Sequence, residues 1–207
     1  MMNGKDTPKR KILVTGGAGY IGSHTVKELV KRGYDVTVLD NLSNGNMTSL
    51  DGVKYIEGDI GDYDKVKKLL QSEEIDAVIN FAALAYVGES VTNPRKYYDN
   101  NVVKGKAFLD AVVDSGVKKI VFSSSCATYG IPEKVPISED EKQRPVNPYG
   151  WTKLMFEQMM KDYDEAYGLR YISLRYFNAA GADADGSIGE MHDPETHVIP
   201  ILLQNIL

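Results

Sequence analysis

The sequence predicts an α/β fold, a doubly wound parallel sheet with helices on both faces. Three observations carry that expectation. Short runs apolar at nearly every position alternate with segments of helical period, as strands buried on both faces require. The first run passes through a glycine-rich turn, TGGAGYIG (Thr15 to Gly22), straight into a helical segment. The second run ends in an acid, Asp40, 21 residues beyond Gly19.

The strands are expected at 11–15 (KILVT), 35–40 (DVTVLD), 53–58 (VKYIEG), 76–82 (DAVINFA), 118–125 (KKIVFSSS) and 171–177 (YISLRYF). Helical periods fill 21–33, 62–74, 94–116 and 148–168 between them. Asp62 is suited to cap the second helix, and Thr92 or Asn93 with Pro94 at the first position opens the third. Gly33, Gly116 and Gly168 stand where helices should stop. Each crossover should be right-handed. Residues 1–10 are polar and read as a flexible tail, and residues 11–178 form the folded domain. The longest stretches without period, 131–147 and 179–197, follow strand ends, the edge where such sheets bind ligands.

Composition excludes several functions. The 207 residues carry a net charge of −5 and a pI near 5.3, and the basic run KRK at 9–11 is short. Nucleic acid and anionic membrane are not expected partners. A single cysteine, Cys126, allows no internal disulfide and fits a reducing compartment. With no apolar leader and no run of ~18 apolar residues, a soluble cytoplasmic protein is expected.

In the glycine turn, Gly17, Gly19 and Gly22 satisfy G-x-G-x-x-G, and Gly16, Gly19 and Gly22 satisfy G-x-x-G-x-x-G. Side chains there would block the tight turn, the approach of backbone to a pyrophosphate, or the packing of helix on strand. The helix N-terminus then presents unpaired N–H groups and a positive dipole end to phosphates. Asp40 suits the two ribose hydroxyls and repels a 2′-phosphate, and no arginine follows it in NLSNGN. The expected cofactor is NAD rather than NADP, held in a Rossmann-like domain. Asp59 and Ile60, after the third strand, stand where an adenine would rest; Asp59 alternatively serves its own turn.

PYGWTK places Tyr149 and Lys153 one helical turn apart. Among 13 tyrosines and 18 lysines chance supplies about one such spacing, and Tyr63 with Lys67 is a second match. Context separates them. The fifth strand ends in Ser123-Ser124-Ser125, so hydroxyls emerge at the glycine-turn edge, and Tyr149 follows 24 residues after Ser125. A free tyrosine titrates near ~10. A neighbouring ammonium and a cationic nicotinamide would favour its phenolate, as an acid/base role needs.

GGAGYIGSH, LDNLSNG, NFAALAYVGESVTNP, YYDNNV, FSSSCATYG, PYGWTK and SLRYFNAAGA, in this order, closely resemble the UDP-glucose 4-epimerases of the extended short-chain dehydrogenase/reductase superfamily. The resemblance covers residues 11 to 207. It implies NAD contacts at Tyr20, Ile21, Asp40, Asn41, Leu42, Ser43, Asn44, Gly45, Asp59, Ile60, Phe81, Ala82, Ala83, Leu84, Ala85, Asn100, Lys153 and Phe177. On the residues alone, Phe177 reads as core and Asn100 as a contact inside a helix. Ser125 and Tyr149 match the catalytic serine and tyrosine, which also touch cofactor and sugar, with Lys153 lowering the tyrosine's pKa. Asn178, Thr196, His197 and Val198 match positions on the nucleotide sugar.

The implied reaction is epimerisation at C4 of UDP-glucose or UDP-galactose through a transient 4-keto sugar, a step of galactose metabolism. The related 4,6-dehydratases need an acid pair in the serine segment, and SSCATYG has none, which leaves dehydratase as the lesser alternative. The sequence stops within IPILLQNIL, so residues 179–207 read as only the beginning of a substrate-binding region. The other alternative is therefore an NAD-binding module with little turnover. The loop DADGSIGE has Ile188 where a calcium loop needs glycine, and no metal is expected. Relatives pair their third and fourth long helices into a dimer. The apolar stripes AFLDAVV and LMFEQMM accordingly predict a homodimer here.

Overall fold

A computed structural model describes residues 9–50, 52–192, 195 and 197–206. Six parallel strands form one sheet: β1 (Lys11–Thr15), β2 (Asp35–Asp40), β3 (Lys54–Glu57), β4 (Ala77–Asn80), β5 (Lys119–Ser123) and β6 (Arg170–Leu174). Their order is β3-β2-β1-β4-β5-β6. β1 and β2 match their expected bounds. The last three strands end two or three residues early, at Phe81–Ala82, Ser124–Ser125 and Arg175–Phe177. Those residues continue the apolar or hydroxylic runs but have left the ladder to build the site.

The helices are α1 (Tyr20–Lys31), α2 (Tyr63–Ser72), α3 (Val87–Thr92), α4 (Pro94–Tyr97), α5 (Lys104–Asp114), α6 (Pro148–Tyr167) and α7 (Val198–Ile206). A π-helical turn, Tyr98–Val103, joins α4 to α5, so the expected third helix is continuous but underwound in its first half. Short α3 escaped the sequence, since VGESVT mixes glycine with β-branched residues of low helix propensity. The caps at Asp62 and Asn93 fall where expected, and Asn147 adds one that the sequence reading did not name. Asp62 accepts from Lys65 N, Asn93 from Lys96 N and Asn147 from Gly150 N, with Pro94 and Pro148 in first positions.

Handedness sorts the layers. The chain runs one way from β1 to β2 and the other way from β4 to β6, so right-handed crossovers send α1 to one face and α2, α5 and α6 to the other. On the α2/α5/α6 face Leu13, Leu39, Val78, Ile120 and Phe122 join Phe108, Leu109, Phe156 and Met160 in the larger core. Ile12, Val14, Val36 and Val38 meet Val26 of α1 on the other. Expected cover of both faces is thus uneven: on β6, Ile172 is 59% and Leu174 43% exposed.

The stripe AFLDAVV is also accounted for within the chain, because Phe108, Leu109, Ala111 and Val112 are all buried in the larger core. In LMFEQMM, Phe156 and Met160 are buried and Met155 is exposed. What α5 was expected to offer a second copy is used on its own sheet. Among the described residues, no helix is long and apolar enough to cross a membrane.

Candidate cofactor and catalytic site

The strand order reverses between β1 and β4, which run parallel, and their C-terminal ends bound a crevice. Gly16 turns there with φ +70°, and a Cβ on it would lie 2.6 Å from Ala82 N. A Cβ on Gly22 would lie 2.2 Å from Gly16 O. Both positions therefore need glycine, and α1 begins hard against the turn with Gly19 as its N-cap. A groove opens beside it. It is lined by Gly16, Gly19, Asp40, Asn41, Ser43, Asn44, Gly45, Asp59, Ile60, Phe81, Ala82, Ala83, Leu84 and Asn100.

Asp40, at the end of β2, is buried, and the backbone aims its carboxylate: Oδ2 accepts from Ala18 N (3.0 Å) and Oδ1 from Leu42 N (2.8 Å). Leu42 reaches it by adopting φ 56°. Each oxygen keeps a lone pair for a ligand hydroxyl. Asp59 both closes its own turn, accepting from Gly61 N at 2.8 Å, and lines the groove beside Lys104 Nζ at 2.6 Å. Burial opposes its charge. The Lys104 ammonium and the Gly61 N–H outweigh that and hold the carboxyl below its ordinary range.

Several expected cofactor residues stand outside the groove lining. Tyr20 donates to Gly181 O (2.6 Å), tying the start of α1 to the segment after β6. Ile21 and Leu42 are half-buried, and Ala85 is exposed. Phe177 is 60% exposed and lines a separate hollow between α6 and β6 with Tyr129 and Arg175, which corrects the reading of Phe177 as core. A residue that ends its strand run just past the ladder is not bound by the ladder's alternation. Asn178 and His197 are exposed, and Val198 starts α7 in the open. Thr196 lies outside the described residues. His192 and His197 instead form a hydrogen-bonded net with Glu190 and Glu195, with the His192 ring edge-on to Tyr20 and Tyr86.

The second part of the site is built by α6 against the end of β5. Gly150 makes the approach possible, since a Cβ there would lie 2.5 Å from Ala127 O. The three serines then diverge. Ser123 Oγ bonds the Tyr176 hydroxyl, Ser124 Oγ donates to Glu157, and Ser125 Oγ caps the turn Cys126–Thr128 by accepting from Ala127 N (3.1 Å). Ser125 is the one whose hydroxyl also bears on Tyr149.

Burial pushes the Tyr149 phenol up to about 12, with Ser125 working the other way. Lys153 is buried, donates to Ser123 O (2.7 Å) and lies 5.7 Å from the centre of the Tyr149 ring. Its own pKa is pushed down to about 7 by burial, opposed by the Glu157 carboxylate. The protein alone therefore drives the phenol away from the direction an acid/base role needs. The look-alike pair differs: Lys67 Nζ bonds Tyr63 OH directly at 3.2 Å, and that hydroxyl is engaged by Asp114 of α5, a clasp between helices.

Three residues that matter here were missed in the sequence. Asn101, in the π turn, is buried and holds Leu84 by both its N–H (2.9 Å) and its carbonyl (3.0 Å), and reaches Thr152 of α6 (3.1 Å). It thereby joins the groove wall to α6. Glu157 and Arg175 are the others. Glu157 follows Lys153 at the spacing by which Lys153 follows Tyr149, a signal that was available.

The comparisons agree with this geometry. A family model described as the NAD dependent epimerase/dehydratase family matches residues 12–207. The chain belongs to that family. It is 56% identical over 198 residues to a UDP-glucose 4-epimerase of Lactobacillus helveticus, covering 95% of this chain and 60% of that protein. A UDP-glucose 4-epimerase from Brucella ovis, solved in complex with NAD, superposes with a TM-score of 0.91 at 54% identity, covering 93% of this chain and 59% of that one. One from Thermotoga maritima with UDP-glucose gives 0.80 at 38% identity, over 86% and 60%. This chain of the epimerase/dehydratase family thus spans about 60% of the length of the relatives it matches.

Lys153 makes stability depend on pH. Its folded pKa, about 7, lies below the ordinary lysine value of 10.5. Between the two, the unfolded chain binds more protons, so stability should rise with pH from about 7 to 10.5. Below pH 7 both states are charged and the burial penalty is fully present. Lys153→Met should flatten this rise in urea titrations at pH 6.5, 8 and 9.5. An unchanged slope would mean that Lys153 is not buried as described.

Proposed function

We propose that this chain is the NAD-holding part of a UDP-hexose 4-epimerase, with Tyr149 as its acid/base residue, Ser125 as partner to the substrate oxygen and Lys153 as the neighbouring cation. The observation that carries the reading is the convergence of Ser125, Tyr149 and Lys153 at the strand edge that also bears the glycine turn and Asp40. NAD would supply a reversible two-electron acceptor, with a positive charge when oxidised. The groove residues would hold its adenosine half, with Asp40 on the ribose and Asp59 and Ile60 beside the base.

Ser125 Oγ, with its O–H free to turn outward while its oxygen caps the Cys126–Thr128 turn, is suited to hold the sugar 4-oxygen. Tyr149 Oη would then take and return the 4-hydroxyl proton. The cofactor charge and the Lys153 ammonium together favour the phenolate that burial resists. Asn178, Thr196, His197 and Val198 are assigned to the nucleotide sugar, a UDP-sugar. The lone cysteine and acidic pI fit a cytoplasmic setting.

Substrate binding energy positions the reacting carbon, and this chain spans only part of its relatives, so NAD binding is expected with weak turnover. UDP-glucose to UDP-galactose conversion should run at least about 100-fold slower than in the Lactobacillus helveticus relative under the same conditions. What remains should fall by roughly 100-fold or more in Tyr149→Phe and persist in Tyr63→Phe. Turnover equal to the relative's would overturn the first expectation, and undiminished activity in Tyr149→Phe the assignment of the base.

Cofactor choice is a separate matter. Calorimetry should find NAD bound more tightly than NADP, and Asp40→Ala should narrow the gap by removing the repulsion of a 2′-phosphate. Equal binding of both by the unsubstituted chain would sink the role given to Asp40.

A homodimer through the long helices remains part of the reading, on narrower grounds than the stripes implied. Its support is the exposed apolar set Val91 of α3, Val103 and, one turn apart on α6, Trp151 and Met155. Light scattering at micromolar concentration should give twice the chain mass; a clean monomer decides against it.

A further inference from the structure

Two side chains one turn apart on α6 grip successive residues at the end of β5. Lys153 Nζ holds the carbonyl of Ser123 at 2.7 Å, and Glu157 takes the hydroxyl of Ser124. Tyr149, Lys153 and Glu157 form a single stripe at four-residue intervals, which brings them onto one face of the helix. Glu157 is buried, yet its carboxylate is fully supplied with donors. Arg175 Nη2 approaches Oε2 at 2.6 Å and its Nε spans both oxygens at 3.0 and 3.1 Å, while Gln143 Nε2 adds a bond at 3.2 Å. Arg175 is in turn braced by Tyr129, through the hydroxyl at 2.9 Å and over the ring at 5.3 Å.

We propose that Glu157 is a positioning residue for the acid–base pair: clamped by Arg175, it locks the Ser123–Ser125 strand end onto α6 and supplies the negative charge that keeps Lys153 an ammonium beside Tyr149. This rests on the reading of Tyr149 and Lys153 as that pair. The groups facing Lys153 are Tyr149 and Glu157 on its own helix, the Ser123 carbonyl and Phe122 ring of β5, and, across Ser123, the Tyr176 hydroxyl; Cys126 faces Tyr149 from the serine turn. Glu157 is the carboxylate among them, and the one whose charge Lys153 feels. A buried carboxylate is kept ionised by its ring of donors rather than by water, so its charge is available to the helix turn above it. Ser124 makes the arrangement specific, because the residue that carries the catalytic hydroxyl is its immediate neighbour.

The test reads the proton on Lys153 directly. Protein labelled at lysine Cε and Nζ is titrated by NMR, with Lys153→Met assigning the signal. Glu157→Gln, which keeps the shape and loses the charge, should lower the Lys153 midpoint by about one pH unit. Glu157→Asp, which draws the charge back by one methylene, should lower it by less. A purely structural Glu157 would reduce thermal stability and leave the midpoint in place, and that result overturns the proposal. Should Glu157→Gln fail to fold, Glu157→Asp decides alone: a midpoint that does not fall overturns it. The titration needs neither NAD nor turnover. Failure of the epimerase reading would therefore appear in the assays of Tyr149→Phe and not here.

Discussion

The contact between the Gly16 turn and the backbone of Phe81 and Ala82 is the constraint on which the rest of the structure depends. With a Cβ on Gly16 2.6 Å from Ala82 N, the ends of β1 and β4 could not stand this close. With a Cβ on Gly22, α1 could not start against the same turn. Close approach at these two points aims the first N–H groups of α1 into the crevice where the strand order reverses. It also brings Ala18 N to Asp40, so that one backbone turn fixes both the start of α1 and the Asp40 wall of the groove. Gly150 repeats the device at the catalytic end, letting α6 descend onto the serine turn. Three glycines without room for a side chain thus set three walls of one site.

Electrostatics then works against packing. Tyr149 and Lys153 are both buried, as the proposed role of facing a sugar carbon without water would ask, and burial favours the neutral form of each. The phenol rises to about 12 and the lysine falls to about 7, so the pair left to itself would be a poor base beside a half-charged neighbour. The compensation is distributed. Ser125 acts on the phenol, where the proposed cofactor cation would join it, and Glu157 acts on the lysine. Arg175 makes the Glu157 charge tolerable. The pair rests on the larger core, where Phe122 and Phe156 stack and Lys153 lies over the Phe122 ring.

Much of this was legible because its causes are local. Strand runs, caps and the glycine turn are properties of a few consecutive residues, and β1, β2 and the cap at Asp62 fell where expected. That Tyr149 meets the serine run and Tyr63 does not was legible too, since it needed only which strand end each follows. What escaped depends on tertiary context. The π turn at Tyr98–Val103 has no local signature, and it alone turns Asn101 inward to bind Leu84 and Thr152. The stripe AFLDAVV was overread as surplus because sequence does not tell how much apolar area the sheet beneath will take. Phe177 was misplaced for the opposite reason: its apolar run outlasts the strand. Glu157 and Arg175 were readable as residues but not as a pair, being 18 apart in sequence and joined only through the fold.

The same topology leaves apolar surface in several places, and two of them bear differently on assembly. Right-handed crossovers put α2, α5 and α6 on one face and, among the described residues, α1 on the other, so Ile172 and Leu174 of β6 stay largely exposed. α7 is apolar nearly all round, with Ile199, Leu202, Leu203 and Ile206 each at least half exposed. A helix of that kind is stable in water only against another apolar surface, and patches of this sort associate without specificity. Val103, Trp151 and Met155 form the other surface, smaller and carried on rigid helices of the main core. Association that depends on Trp151 and Met155 would report a built interface. Association that depends on α7 would report only that apolar surface had been left uncovered. The mass of a complex cannot distinguish them, whereas the residues on which that mass depends can.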